Sequence, residues 1–343
     1  MLALIPVEAF TKGGNIFLGL LLILSVMVGV SAVVNLWRSK PVWQKSTTGL
    51  LTAINIFFVG GFLWLCWFHW QIYQHLPLEL PDEIIGWANQ QLENMNRNSA
   101  YGMPLYNPAD PPRYKIPLWI ENEKYYFWFL CYAVMALAVH LRIRNHRYRA
   151  ILHLFLAGQT AILFFLANPF GRPLERFFNE IGPWYASGPS LMYKAGYFMR
   201  LYPKMIFYYN AEYMWFHPPL LFISYACITI VFISSVFMLF RRDLQVEKIG
   251  YEHAKLGFFM LTLGMLLGYP WALKAWGPNW WWDPKICSSL MMWAVFSTYL
   301  HTRLYANKKP MWYFTSILGI ICFAAMIFTF LASFYFPGEH TFQ

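Results

Sequence analysis

Five tryptophans fall within twelve residues in Trp271-Ala-Leu-Lys-Ala-Trp276-Gly277-Pro-Asn-Trp280-Trp281-Trp282-Asp283-Pro284-Lys285. Indole is wide and flat, and its π face stacks on planar ligands. An aromatic membrane belt sets one or two tryptophans at a helix end, and that is the plain reading here. Three in a row ahead of an acid favour a ligand platform instead. Asp283-Pro284 also has a plain reading, because Asp is a good N-cap and Pro suits a first helical turn. A helix is expected to begin there whatever the loop does. The same grammar recurs at His217-Pro218-Pro219, where another helix is expected to begin. In both places a potential ligand residue would stand on a rigid, proline-initiated mount.

The histidines are the other candidates for chemistry. His69, His75, His217 and His340 fall outside or at the outer ends of apolar runs, and His140, His146, His153, His253 and His301 at the inner ends. Histidine at a membrane boundary is ordinary, whereas histidine inside the apolar zone is costly and a functional candidate by default. His140, His146 and His253 fit the first description, while His301 and His153 lie somewhat deeper. Two axial imidazoles, one on each side of a ring, suit heme iron. An outer and an inner pair would serve two hemes, or one heme moved between two depths. The cysteines Cys66, Cys131, Cys227, Cys287 and Cys322 form no CxxC and no CxxCH. Zinc and thioredoxin-type sites gain no support, and the chain does not carry its own covalent c-type heme. Four cysteines read as small hydrophobes; only Cys287 stands near the tryptophan loop.

The elements that must position these residues follow from composition. Of 343 residues, 58% are apolar, 20% aromatic and only 12% charged. That is about half the charge of a soluble domain, which excludes a soluble globular enzyme and a disordered chain. Eight apolar runs are long enough to span a bilayer: residues 15–37, 49–70, 125–143, 150–168, 218–240, 256–273, 286–305 and 312–336. The first is too long for a signal-peptide core and is expected to be retained. The short connections carry Arg38, Lys40 and Lys45, then Arg142, Arg144, Arg147 and Arg149, then Arg241, Arg242 and Lys248, then Arg303, Lys308 and Lys309. The positive-inside rule puts these loops in the cytoplasm and both termini outside. The formal charge of +10 is mostly this topology signal, so the expected partner is the lipid bilayer and not nucleic acid. Two long connections, 71–124 and 169–217, then face outward, and loops of such length are usually functional. The tyrosines of the second (Tyr193, Tyr197, Tyr202, Tyr208, Tyr209, Tyr213), with Trp215, suggest a segment on the outer leaflet, most of them as an aromatic belt. The expected fold is an all-α polytopic membrane helical bundle of about eight transmembrane helices, with interfacial helices in the two long outer loops.

Trp276-Gly-Pro-Asn-Trp280-Trp-Trp282-Asp283-Pro284-Lys285 resembles the WWD motif of the heme-handling cytochrome c assembly family, which includes CcmF, CcsA (ResC) and CcmC. Trp293 through His301-Thr-Arg303 resembles the CcsA continuation, and Asn168-Pro-Phe170 and His217-Pro-Pro-Leu-Leu-Phe-Ile-Ser-Tyr225 resemble CcmF. Gly338-Glu-His340 sits where the family has its second external histidine. The resemblance covers roughly residues 109–343, with the motifs in the family's order. It implies an N-terminal transmembrane pair with outer loop (1–124) and a cytochrome c assembly domain (125–343). It implies heme b, one or two, held at the external face of the inner (plasma) membrane by Trp276, Gly277, Trp280, Trp281, Trp282, Asp283 and Pro284, with His217 and His340 on iron. It also implies a deeper heme on His301. The chain is about half the length of a typical CcmF, and that family's second deep histidine lies on a late helix that has no counterpart here. The second deep ligand is therefore left among His153, His140, His253 or a histidine of another chain. The loop also carries Ile286-Cys287 where many CcsA-like loops have an acid. The implied activity is that of a heme lyase (holocytochrome c synthase) subunit that presents heme to an apocytochrome c CxxCH. Its implied partners are CcsB-like or CcmH-like maturation subunits, with quinol as an electron source. The alternatives are a CcmC-like heme carrier or exporter, an electron-transfer membrane subunit, and a transporter of another planar solute.

Overall fold

The computed structural model describes residues 4–37, 41–97, 102–186, 190–278, 280–305 and 309–338. Within them are eleven α-helices and no strand beyond one isolated bridge between Pro77 and Arg113. The helices are α1 (Val7–Trp37), α2 (Pro41–His75), α3 (Asp82–Arg97), α4 (Glu123–Arg142), α5 (His146–Phe165), α6 (Glu175–Tyr185), α7 (Leu191–Lys204), α8 (Tyr213–Phe240), α9 (Leu244–Trp276), α10 (Pro284–Arg303) and α11 (Lys309–Tyr335). Among the described residues, α1, α2, α4, α5, α8, α9 and α11 are long and apolar enough to cross a membrane. The eighth expected span is α10, a 20-residue helix that falls outside that group. Its Lys285, Ser288, Ser289, Thr298, Thr302 and Arg303 make it more polar than the others.

Several helices start well before the apolar runs do, because apolarity marks only the segment inside the bilayer. Helix α9 begins at Leu244, a little over three turns ahead of the expected start, since Asp243 caps it by accepting from Gln245 N (2.9 Å) and Val246 N (3.3 Å). Helix α8 begins at Tyr213 rather than Pro218, so His217 is the fifth residue of the helix and not its forerunner. Tyr213 and Trp215 thereby belong to α8 and not to the preceding loop.

Helix α8 is the most deeply buried of the seven and packs on α4, α9 and α11. On the other side α1 packs on α2 and α5, and α2 on α4, within one continuous apolar core. Polar links tie the ends at the short basic connections. Arg142 meets Glu252 at 2.6 Å, Asn145 donates to Asp243 at 2.7 Å, and Arg303 pairs with Glu247.

At the opposite end the two long connections fold onto each other. The Tyr202 hydroxyl donates to Pro104 O (2.9 Å) and the Tyr185 hydroxyl to Pro77 O (2.8 Å). Asn210 accepts from Lys115 N (2.7 Å) and donates to Arg113 O (2.9 Å). Tyr114, Phe177 and Tyr209 meet edge to face with centroids 5.0–5.7 Å apart. Tyr202 and Tyr209 are buried, so they form the core of a small layer on the bundle rather than a belt on a leaflet. Tyr193 remains exposed, as a belt residue would. Burial pushes the Tyr208 phenol up to about 12.

Candidate functional site

The tryptophan loop sorts its five indoles into two jobs. Trp271, only 6% exposed, donates from its indole N–H to Phe207 O (2.9 Å) and meets Trp276 edge-on at 4.6 Å. These two anchor the end of α9. Gly277 then stops the helix with φ 75° and ψ −165°, a conformation essentially restricted to glycine. A single 3-10 turn, Trp280–Trp282, carries the chain back toward the bundle. Trp280 lies half-buried, edge-on to Tyr269 at 5.4 Å. Trp281 and Trp282 stack at 4.3 Å with 27° between planes, and are 47% and 68% exposed. The platform is therefore narrower than the sequence suggests: two stacked indoles face outward, and the other three hold the turn.

Asp283 is buried and caps α10, accepting from Lys285 N (2.9 Å) and Ile286 N (3.3 Å), with Pro284 in the first turn. The plain helix-start reading of Asp283-Pro284 therefore holds. The chain also returns here from α11. A Cβ on Gly338 would lie 2.5 Å from Asp283 Oδ2 and 2.7 Å from Pro284 Cδ, so that segment packs directly on the cap. His340 lies outside the described residues. The exposed Cys287 thiol reaches the carbonyl of Trp281 at 3.4 Å.

His217 is held by two devices. Pro218 has no N–H to give the carbonyl four residues back, that of Met214. The Trp119 indole N–H bonds that carbonyl instead and satisfies the first turn of α8. The ring itself is set by α9. His217 Nδ1 lies 2.6 Å from Gly264 O. A carbonyl can only accept, so Nδ1 carries the proton and Nε2 is the basic nitrogen, the form in which imidazole ligates metals. The ring also packs closely on Gly268, where a Cβ would come 2.6 Å from Cε1 and 2.7 Å from Nδ1. Trp119 and Gly268 were not legible as site residues. The proline pair signals an orphan carbonyl, but nothing local says which donor reaches it.

The other histidines divide between two places. His140 and His153 are buried and face each other between α4 and α5, ring centroids 5.0 Å apart. His140 Nε2 is 2.9 Å from the Thr48 hydroxyl, whereas His140 Nδ1 and His153 Nε2 have no hydrogen-bond partner among the described residues. With Asn35, Thr47, His146 and Arg149 they line a small, partly open cleft. His301 is exposed on the last turn of α10, which packs on α9 and α11. The fold thus brings His153 to His140. His253 Nδ1 bonds Ile249 O of its own helix at 2.8 Å. Among the described residues no three His, Cys, Asp or Glu side chains converge as a metal-binding group.

The loop thus offers two exposed, stacked indoles, and α8 offers an imidazole whose Nε2 is the basic nitrogen. The sequence profile of the Cytochrome C assembly protein family matches residues 119–340. The chain belongs to the cytochrome c assembly family. It is 43% identical over 83 residues to the cytochrome c biogenesis protein CcsA of Cyanidium caldarium, a match of 23% of this chain and 28% of that protein. It is 41% identical over 86 residues to CcsA of Prochlorococcus marinus (strain NATL1A), covering 24% of this chain and 26% of the relative. The matched segments thus span little more than a quarter of those relatives. The solved structure of the cytochrome c heme lyase CcmF superposes with a TM-score of 0.59 at 18% identity, over 96% of this chain and 47% of CcmF. At that identity the likeness is one of fold. That likeness of fold extends over nearly the whole chain, beyond the 119–340 segment that the family profile matches.

Proposed function

We propose that this chain is the heme-handling membrane subunit of a cytochrome c heme lyase, and that its tryptophan loop presents heme to apocytochrome c. The observation that carries the reading is the exposed Trp281–Trp282 stack, in a chain that matches the cytochrome c assembly family over residues 119–340 and holds His217 Nδ1 on Gly264 O. Heme bound there supplies two vinyl groups, each of which takes one cysteine thiol of a CxxCH as a thioether. The residues' part is positional. Trp281 and Trp282 cover one porphyrin face, Trp280 and Gly277 hold the turn, and Asp283 with Pro284 fixes the start of α10. His217, with His340 as the second ligand, holds iron until the apocytochrome's own histidine displaces one of them. Holding reactants in place lowers the barrier by several kcal/mol, because their translational and rotational freedom is already spent.

The remaining assignments belong to the same proposal. The loop faces the periplasmic side of the inner membrane, with both termini on that side. Residues 1–124 form an N-terminal pair with outer loop, and 125–343 the assembly domain. A second, deep heme b uses His301, with His153, His140, His253 or another chain supplying its other ligand. The partners are the apocytochrome and CcsB-like or CcmH-like maturation subunits, with quinol as the source of electrons.

The test is co-expression with an apocytochrome reporter, together with a pyridine-hemochrome spectrum of the purified protein. Covalent heme on the reporter that is lost in His217→Ala or His340→Ala supports the proposal. Full maturation and full heme content in the double variant would refute the outer site. Bound heme without any reporter maturation would point to a carrier. His301→Ala is expected to remove a low-spin b-type spectrum, and an unchanged spectrum would remove the deep-site assignment.

A further inference from the structure

His140 and His153 are only 3% and 2% exposed, yet His140 Nδ1 and His153 Nε2 have no hydrogen-bond partner among the described residues. Two more buried atoms without a partner there belong to residues of the same cleft, Arg149 Nε and Asn35 Oδ1. A buried polar atom left unsatisfied is costly, and four around one small cleft mark a place that something else completes. Distant parts of the chain bring them together. Asn35 stands near the end of α1, His140 in the last turn of α4, and Arg149 and His153 on α5. Arg149 and His153 are four apart and so share a helix face. The cleft lies at the end of the bundle that carries the short basic connections, beside the exposed Arg142, Arg144 and Arg147.

The geometry selects the ligand. The two imidazole centroids are 5.0 Å apart. Imidazoles on opposite faces of an iron are separated by two metal–nitrogen bonds of about 2.0–2.1 Å each, plus the half-width of each ring. Rings this close leave no room for a porphyrin between them. Among the described residues no carboxylate lines the cleft, whereas the Arg149 guanidinium does. A bare metal cation would therefore meet like charge and no counter-charge, and an anion meets the reverse. Arg149 is a donor only, and each imidazole carries one N–H. With the Thr48 hydroxyl donating to His140 Nε2 at 2.9 Å, His140 Nδ1 is a donor. Asn35 Nδ2 meets the Ser31 and Thr47 hydroxyls only at 3.4 and 3.5 Å. Its oxygen can make the same contacts, so the amide can turn an N–H into the cleft. The first amides of α5 are already taken, because Asn145 accepts from Arg147 N (3.1 Å) and Tyr148 N (3.2 Å). Side chains are thus the donors here.

We propose that this cleft seats the phosphate of an anionic phospholipid from the leaflet on the side of the basic connections. A lipid is the occupant because the cleft lies where apolar helices end and basic connections begin, the depth of the head groups. Basic pockets between membrane helices at that depth suit anionic head groups. Arg149 Nε, His140 Nδ1 and His153 Nε2 donate to phosphate oxygens, the first through a charge-assisted bond. The cleft is small and partly open, so the oxygens enter and the acyl chains stay outside. The bound head group ties α1 to the α4–α5 pair. With His140 and His153 so engaged, the other ligand of the deep heme falls to His253 or to another chain.

The test is native mass spectrometry of the delipidated full chain in detergent, titrated with phosphatidylglycerol, phosphatidylcholine and inorganic phosphate. Wild type is expected to take one phosphatidylglycerol about tenfold more tightly than phosphatidylcholine. Arg149→Gln and His153→Leu should each lose about tenfold or more of that affinity, the scale of a hydrogen bond to a charged group. Arg144→Gln, on the exposed connection, should bind as wild type does. Thermal unfolding checks the fold: His153→Leu removes a buried group that has no partner, and should melt no lower than wild type without lipid. Phosphatidylglycerol should then raise the melting temperature of wild type and not of His153→Leu. No phosphatidylglycerol on wild type, undiminished binding in both cleft variants, or an equal loss in Arg144→Gln overturns the site. Displacement of the lipid by inorganic phosphate at matching concentration would make it a free-phosphate site and overturn the lipid assignment.

Discussion

Gly268→Ala tests whether α9 sets the ring of His217, the proposed heme ligand. The added methyl would sit 2.6 Å from His217 Cε1 and 2.7 Å from Nδ1, well inside van der Waals contact, so the ring must move. Movement breaks the 2.6 Å bond to Gly264 O, the contact that fixes the tautomer. Overpacking of this kind costs about 1–3 kcal/mol. Replacing Gly by Ala in a helix returns about 1 kcal/mol, so the net loss of stability is expected to be about 0–2 kcal/mol. The functional loss should be larger in proportion. Removing the group that orients a ligating histidine typically lowers affinity by about 10–100-fold. Heme titration of the purified variant, with thermal unfolding in detergent, separates the two effects. Gly257→Ala is the control, because it lies on the same helix and its methyl would meet Cys227 Cβ at 2.7 Å and Phe296 Cε1 at 3.3 Å. It should cost stability and spare heme. Wild-type heme affinity in Gly268→Ala, or an equal loss in Gly257→Ala, would refute the orienting role of this contact.

Three more outcomes follow from the packing. Trp119→Phe removes the donor to the Met214 carbonyl that Pro218 cannot serve, and should destabilise by about 1–3 kcal/mol in detergent unfolding. An unchanged melting temperature would mean that water replaces the indole. Asp283→Ala should cost about 0.5–2 kcal/mol through the lost cap of α10, with Asp283→Asn close to wild type; an Asn variant as damaged as Ala would show that the charge, not the cap, matters. Asp243 gives a pH dependence. Burial raises its carboxyl, but the Asn145 side chain and the N–H groups of Val246 and Gln245 outweigh that and hold it below the ordinary 3.8. The stability it confers is present above the unfolded value and is lost as pH falls through the lower folded one. Acid unfolding of Asp243→Asn should be flatter in that range, and an unchanged acid limb would rule the site out as its cause.

What could be read from the residues was local. Low charge and apolar runs dictate membrane helices, because lipid leaves the backbone no other partner. Asp283-Pro284 announces the start of α10, because a cap needs only its own next few amides. The sequence also marked the tryptophan loop and His217 as the residues to watch. Only the tertiary structure decided the rest, since those facts depend on neighbours far along the chain. Trp271 is removed from the platform by a carbonyl 64 residues away. His217 takes its tautomer from Gly264, and the first turn of its helix takes its missing hydrogen bond from Trp119. His153 lies beside His140 because α4 and α5 pack together, a pairing that spacing cannot reveal. The second long connection, which reads as an interfacial belt, buries Tyr202 and Tyr209 because the first folds against it.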